Sequence, residues 1–128
     1  MEKVRVARSL VRSLLEFSKD QHPNEMLVLL RGKKQRDALF VHQVVFAPFM
    51  ISSPNSSAFN PYQVPADPSI VGTAHSHPSG FGRPSLQDLL HLYGSVMLIV
   101  SYPYSSSADV SAYDAEGRPL QLEVLEDE

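Results

Sequence analysis

The sequence predicts an α/β sandwich built on a mixed sheet. Apolar residues recur at helical spacing in two separated stretches, and short β-branched and aliphatic runs lie between and after them. Glycine and proline mark the boundaries. The order helix, strands, helix, strands is that of a layered α/β architecture, here expected as one domain over residues 1–128.

Residues 3–20 read as an amphipathic helix. Val4, Ala7, Val11 and Leu14 fall on one stripe, joined by Leu10, Leu15 and Phe17, while Arg5, Arg8 and Arg12 line another face. His22-Pro23 ends it, because the residue before proline avoids the helical region. Met26 to Leu30 is a continuous apolar run closed by Gly32 and a charged stretch to Asp37, the pattern of a buried strand and a turn. Leu39 to Phe46 is β-branched and aromatic, so the two runs predict a hairpin. Residues 48–69 contain Pro48, Pro54, Pro61, Pro65 and Pro68 and read as a long loop without regular structure, with Phe59 and Tyr62 available for packing.

Ile70 to Ala74 predicts a further strand, running into His75-Ser76-His77-Pro78. After a Gly- and Pro-rich connection over 79–84, Ser85 to Tyr93 reads as a helix, with Leu86, Leu89, Leu90 and Tyr93 at helical spacing and Gly94 as its stop. Val96 to Val100 is a buried strand. Val110 to Tyr113 and Leu120 to Leu125 flank the turn Asp114 to Gly117 as a terminal hairpin, leaving Glu126 to Glu128 as a frayed acidic end.

Composition limits the chemistry. With no cysteine there are no disulfides and no thiolate ligands, so any metal must be held by His, Asp or Glu. No signal-like h-region and no apolar run near the roughly 20 residues of a membrane span is present, and a cytoplasmic location is expected. A net charge of −3 and a pI of about 5.9 argue against a nucleic-acid surface. The acidic end and the basic helix face would complement each other between copies, which leaves a homo-oligomer open.

His75 and His77 lie two apart on a predicted strand and so project to the same side, where both imidazoles can meet one ion. A His-x-His pair alone is more often structural than metal-binding. Asp88 follows in the first turn of the next helix, where negative charge is favoured. Ser85-x-x-Asp88 also reads as a capping box, which would occupy the same carboxylate. Two His and one carboxylate leave a tetrahedral zinc one open position, for a water whose pKa falls to about 7.

The spacing His75-x-His77, seven residues, Ser85, two residues, Asp88 matches H-x-H-x7-S-x2-D, the signature of the JAMM (MPN+) zinc metalloproteases. Composition alone would give this match by chance about once in a thousand such chains. The chain further resembles that family in Pro78 after the second His, and in Glu25 just ahead of the apolar run that follows the N-terminal helix. The resemblance covers residues 3 to about 125 and is to the compact prokaryotic or archaeal form. It implies a three-layer-like sandwich, a mixed and curved β-sheet flanked by helices, similar to cytidine deaminases. It implies that His75, His77 and Asp88 bind Zn2+, that Glu25 is the general base, and that Ser85 donates to the oxyanion of the tetrahedral intermediate. Asn55, Ser57 and Phe59 fall in what resembles the family's variable segment beside the cleft and are candidate substrate contacts. Read without the resemblance, Glu25 would be an ordinary solvated acid at a strand entrance.

The implied reaction is hydrolysis of the bond after the C-terminal tail of a ubiquitin-like small modifier protein. One alternative is release of a small amine, such as cysteine, from a ubiquitin-like sulfur-carrier protein. A second is a non-catalytic MPN-type binding scaffold, although no ligand position is lost. A zinc nucleobase deaminase is excluded, since those enzymes need the cysteines this chain lacks. Among the other histidines, His91 shares a helix face with Asp88 and is only a minor candidate for a stray ligand or a support behind the ligands. His22 and His42 have no evident partner.

Overall fold

The computed structural model describes residues 3–45, 67–80, 82–84 and 94–126, with the backbone alone at 51–52 and 57–58. It begins with a strand, β1 (Lys3–Ala7), where the sequence suggests the start of a helix. Val4 and Val6 are fully buried between the exposed-side residues Lys3 and Arg5. That is the period of two of a strand, and it prevails over the helical stripe read across 3–20. The helix α1 runs only from Arg8 to Gln21. Arg5 accordingly sits on the sheet, where its guanidinium meets Glu123 (3.2 Å) and Asp37 (3.4 Å).

The predicted hairpin is present as β2 (Leu27–Lys34) and β3 (Ala38–Val45), antiparallel. Gly32 does not end its strand. It follows a register shift at Arg31, in a spot where any Cβ would collide with the Phe40 carbonyl, and pairing continues to Lys34. Two short strands, β4 (Ile51–Ser52) and β5 (Ser57–Ala58), pair within the stretch expected to lack regular structure. Then come β6 (Ile70–His77), β7 (Val96–Ser101), a 3-10 turn over Ser107–Asp109, β8 (Val110–Asp114) and β9 (Pro119–Leu125). The helix predicted over Ser85 to Tyr93 lies outside the described residues. No described helix is long and apolar enough to cross a membrane.

Seven strands form one curved, mixed sheet in the order β1-β3-β2-β6-β7-β8-β9. β1 also pairs with β9, Val4 opposite Leu122, so the curvature closes the sheet on itself. The pairs β1–β3, β1–β9 and β6–β7 are parallel and the rest antiparallel. Leu10, Val11, Leu14 and Leu15 of α1 fill the inner face against Met26, Val28, Leu30, Ala74, Val96, Leu98 and Val100. Each such side chain contributes about 1.5–3 kcal/mol through burial. Leu27, Leu29, Met97 and Ile99 point the other way and are just as buried. A sheet buried on both faces is the middle layer of a sandwich.

The C-terminal end is not frayed at Glu126. Its carboxylate meets the Arg8 guanidinium at 2.6 Å, tying the start of α1 to the end of β9.

Candidate metal centre and active site

His75 and His77 are the first and last of the three residues that end β6, beside the C-terminal end of the parallel strand β7. Alternation puts both on the outer face, and their rings lie 5.0 Å apart at 13° to one another. His75 is 5% exposed, with its Nε2 atom withdrawn from solvent, while His77 is half-buried nearer the rim. Two imidazoles side by side, one sheltered and one at the edge of water, suit a zinc ion that must also admit a substrate.

Glu25 stands on the neighbouring strand's approach. Leu27 pairs with His75, and the Ser76 N–H donates to the Met26 carbonyl at 2.9 Å. One further step along this register sets Glu25 level with His77. His75 and His77 share the outer face, and Glu25 stands just ahead of the paired residues, beside the end of β6. Among the described residues no three His, Asp or Glu groups converge as a complete metal site. The expected third ligand, Asp88, the expected oxyanion donor, Ser85, and His91 lie outside the described residues. So do Asn55 and Phe59, together with the side chain of Ser57.

The path toward Ser85 is fixed in part. Past His77 the chain turns at Gly80, whose N–H donates to the His77 carbonyl at 3.0 Å. Gly80 takes φ +81°, a left-handed conformation glycine adopts without strain. The Tyr113 hydroxyl of β8 then donates to the Gly82 carbonyl at 2.5 Å. The connection therefore crosses the outer face past β7 to β8, three residues short of Ser85.

Behind the histidines lies a polar group that sequence reasoning missed. Ser76 alternates onto the inner face and is fully buried. Its Oγ accepts the Met26 N–H at 2.7 Å. Nearby, the buried Tyr104 hydroxyl contacts His22 Nδ1 at 3.0 Å. His22, for which the sequence offers no partner, is thus held by Tyr104 and stacked on Tyr102 at 5.0 Å. His42 remains exposed, its ring 5.8 Å from that of Phe40. The one available signal for the group was Ser76 itself, since a polar residue alternating into an apolar face must find partners.

Comparison with known proteins agrees with this geometry. The family of prokaryotic homologues of the JAB domain matches residues 7–116. The chain is 38% identical over 133 residues to a Haloferax volcanii protein named "Probable metalloprotease", across 98% of this chain and 81% of that one. It is similar to a JAB1/MPN domain protein from Archaeoglobus fulgidus, with 29% identity, a TM-score of 0.70, and 95% and 96% of the two chains covered. A structure described as a metalloprotease-like JAMM zinc site in the proteasome and signalosome matches with 29% identity and a TM-score of 0.68, over 95% and 97%.

Proposed function

The chain belongs to the JAB-domain family in its compact prokaryotic, JAMM form, and from that premise we propose a zinc-dependent peptidase that cuts after the C-terminal tail of ubiquitin-like small modifier proteins. One observation carries the reading: His75 and His77 share one face at the end of β6, and the β2–β6 pairing, continued by the Ser76–Met26 bond, runs toward Glu25.

His75, His77 and Asp88 would hold the zinc, which supplies a Lewis acid and makes water nucleophilic near neutral pH. The donor set fits, being nitrogen and oxygen only in a chain without cysteine. Glu25 takes the proton of the attacking water and delivers it to the leaving amine. Ser85 donates to the oxyanion of the tetrahedral intermediate. The main sheet closes on itself, so an extended modifier tail would add as a strand along the separate β4–β5 pair. Asn55, Ser57 and Phe59 are the proposed tail contacts.

Zinc content and cleavage test this together. The native chain should carry about one zinc, and the His75→Ala/His77→Ala double variant none. The native chain should release a ubiquitin-like protein from a lysine-linked fusion, and chelation should stop it. Cleavage of cysteine-capped carriers alone would assign the sulfur-carrier substrate instead. Zinc binding with no hydrolysis of either substrate would leave the scaffold reading.

A further inference from the structure

The chain leaves β7 beside His77 in a tight turn. The Tyr104 N–H donates to the Ser101 carbonyl at 3.0 Å, so Tyr102 and Pro103 form the tip, and both are exposed. One oxygen fastens this tip to the candidate site: the His77 carbonyl accepts the Tyr102 N–H at 3.2 Å and the Gly80 N–H at 3.0 Å. Among the described residues, Tyr102 is the large hydrophobic side chain left exposed, at 52%. A lone exposed ring needs no explanation, but this one is braced. It stacks on His22 at 5.0 Å and 27°, and it meets the buried Tyr104 edge-on at 5.7 Å. Tyr104 holds His22 in turn, its hydroxyl 3.0 Å from Nδ1. His22 is exposed as well and lies three residues ahead of Glu25. The two stacked rings therefore make a fixed ledge between the approach to Glu25 and the end of β6.

We propose that this ledge is a specificity surface, centred on Tyr102, for the polypeptide on the leaving-amine side of the scissile bond. The inference rests on the reading of Glu25 as general base and deepens it by naming the acceptor. Glu25 delivers its proton to the leaving amine, so the chain bearing that amine passes Glu25 and meets the ledge that flanks it. The modifier tail lies on the other side of the bond, on the β4–β5 pair. An aromatic face suits the aliphatic stem of a lysine and the chain around it. A small amine has no chain to lay there.

The test uses one ubiquitin-like modifier joined to a lysine side chain in two forms, a lysine within a protein and free lysine. Affinities are measured in zinc-loaded Glu25→Gln, which binds without turning over. The protein-linked form should bind about 10-fold tighter than the free-lysine form, the scale of one aromatic anchor. Adding Tyr102→Ala should erase that difference and leave the free-lysine form and the thermal midpoint unmoved. Adding Tyr102→Phe should keep it, because the ring and not the hydroxyl makes the contact. With Glu25 restored, Tyr102→Ala should raise KM on the protein-linked form about 10-fold at constant kcat. Equal affinity for the two forms, an equal loss on both in Tyr102→Ala, or no binding of either would overturn the proposal. A native chain that cleaves neither form would end the hydrolase reading alone, since the ratio of affinities still decides the role of Tyr102.

Discussion

Ser76 and Met26 hold each other twice. The Ser76 N–H donates to the Met26 carbonyl at 2.9 Å, and the Met26 N–H donates to Ser76 Oγ at 2.7 Å. The ladder between β2 and β6 is thereby carried one residue past Leu27 and His75, up to the rim where Glu25 and His77 stand. A backbone N–H satisfied by the side chain lying between two candidate ligands couples the base's position to theirs.

Ser76→Ala should therefore cost more than an ordinary hydroxyl deletion. It strands the buried Met26 N–H, a loss of about 1–3 kcal/mol. Denaturant unfolding should show a lower midpoint with an unchanged slope, since stability changes and compactness does not. An unaltered midpoint would mean that another group satisfies Met26.

Glu25→Gln separates the base from the ligands. The amide keeps the shape but cannot take a proton, so turnover should fall by about 10²–10⁴-fold while zinc content stays near one per chain. Asp88→Ala should do the reverse and lower zinc content first. If Asp88→Ala kept full zinc and lost only helix stability, its carboxylate would be a cap.

Apart from β4 and β5, the strands after residue 26 and the His-x-His face were legible in the sequence because their apolar runs and turn residues agree with the fold. β1 was not. Five residues of alternation beside fourteen of helix were absorbed into one helical stripe, and only pairing with β3 and β9 shows why Val4 and Val6 alternate. The partners of His22 and Ser76 were beyond reach for the same reason: Tyr104 lies 82 positions from His22, and Met26 lies 50 from Ser76. Spacing motifs report neighbours along one strand, whereas these bonds depend on how distant strands align.

Tyr113→Phe tests the loop toward Ser85. The phenol's bond to the Gly82 carbonyl is the described tie holding that connection to β8. Its loss should lower kcat/KM about 10-fold, with a stability cost near 1 kcal/mol, the net worth of one such bond. Full activity would show that the connection is positioned from elsewhere.

Asp109 should make the segment bearing Tyr102 and Tyr104 sensitive to acid. Its carboxylate accepts the Ser105 N–H at 2.8 Å and the Ser105 hydroxyl at 3.0 Å, and its carbonyl accepts the Ser101 hydroxyl at 3.1 Å. The Ser105 N–H is the main cause that holds its pKa below the ordinary 3.8, against the opposing effect of burial. The unfolded chain then binds the proton more readily than the folded one, so this stabilisation is present above about pH 4 and is lost as pH falls through the folded value. Asp109→Asn should lower stability at pH 7 by about 1 kcal/mol, allowing for solvent screening, and should flatten the slope of stability against pH between about 5 and 2. Part of the slope should persist, because Asp67 and Asp114 are lowered too. Thermal unfolding of the two proteins across that range checks this, and parallel curves would show that Asp109 titrates alike in the folded and unfolded chains.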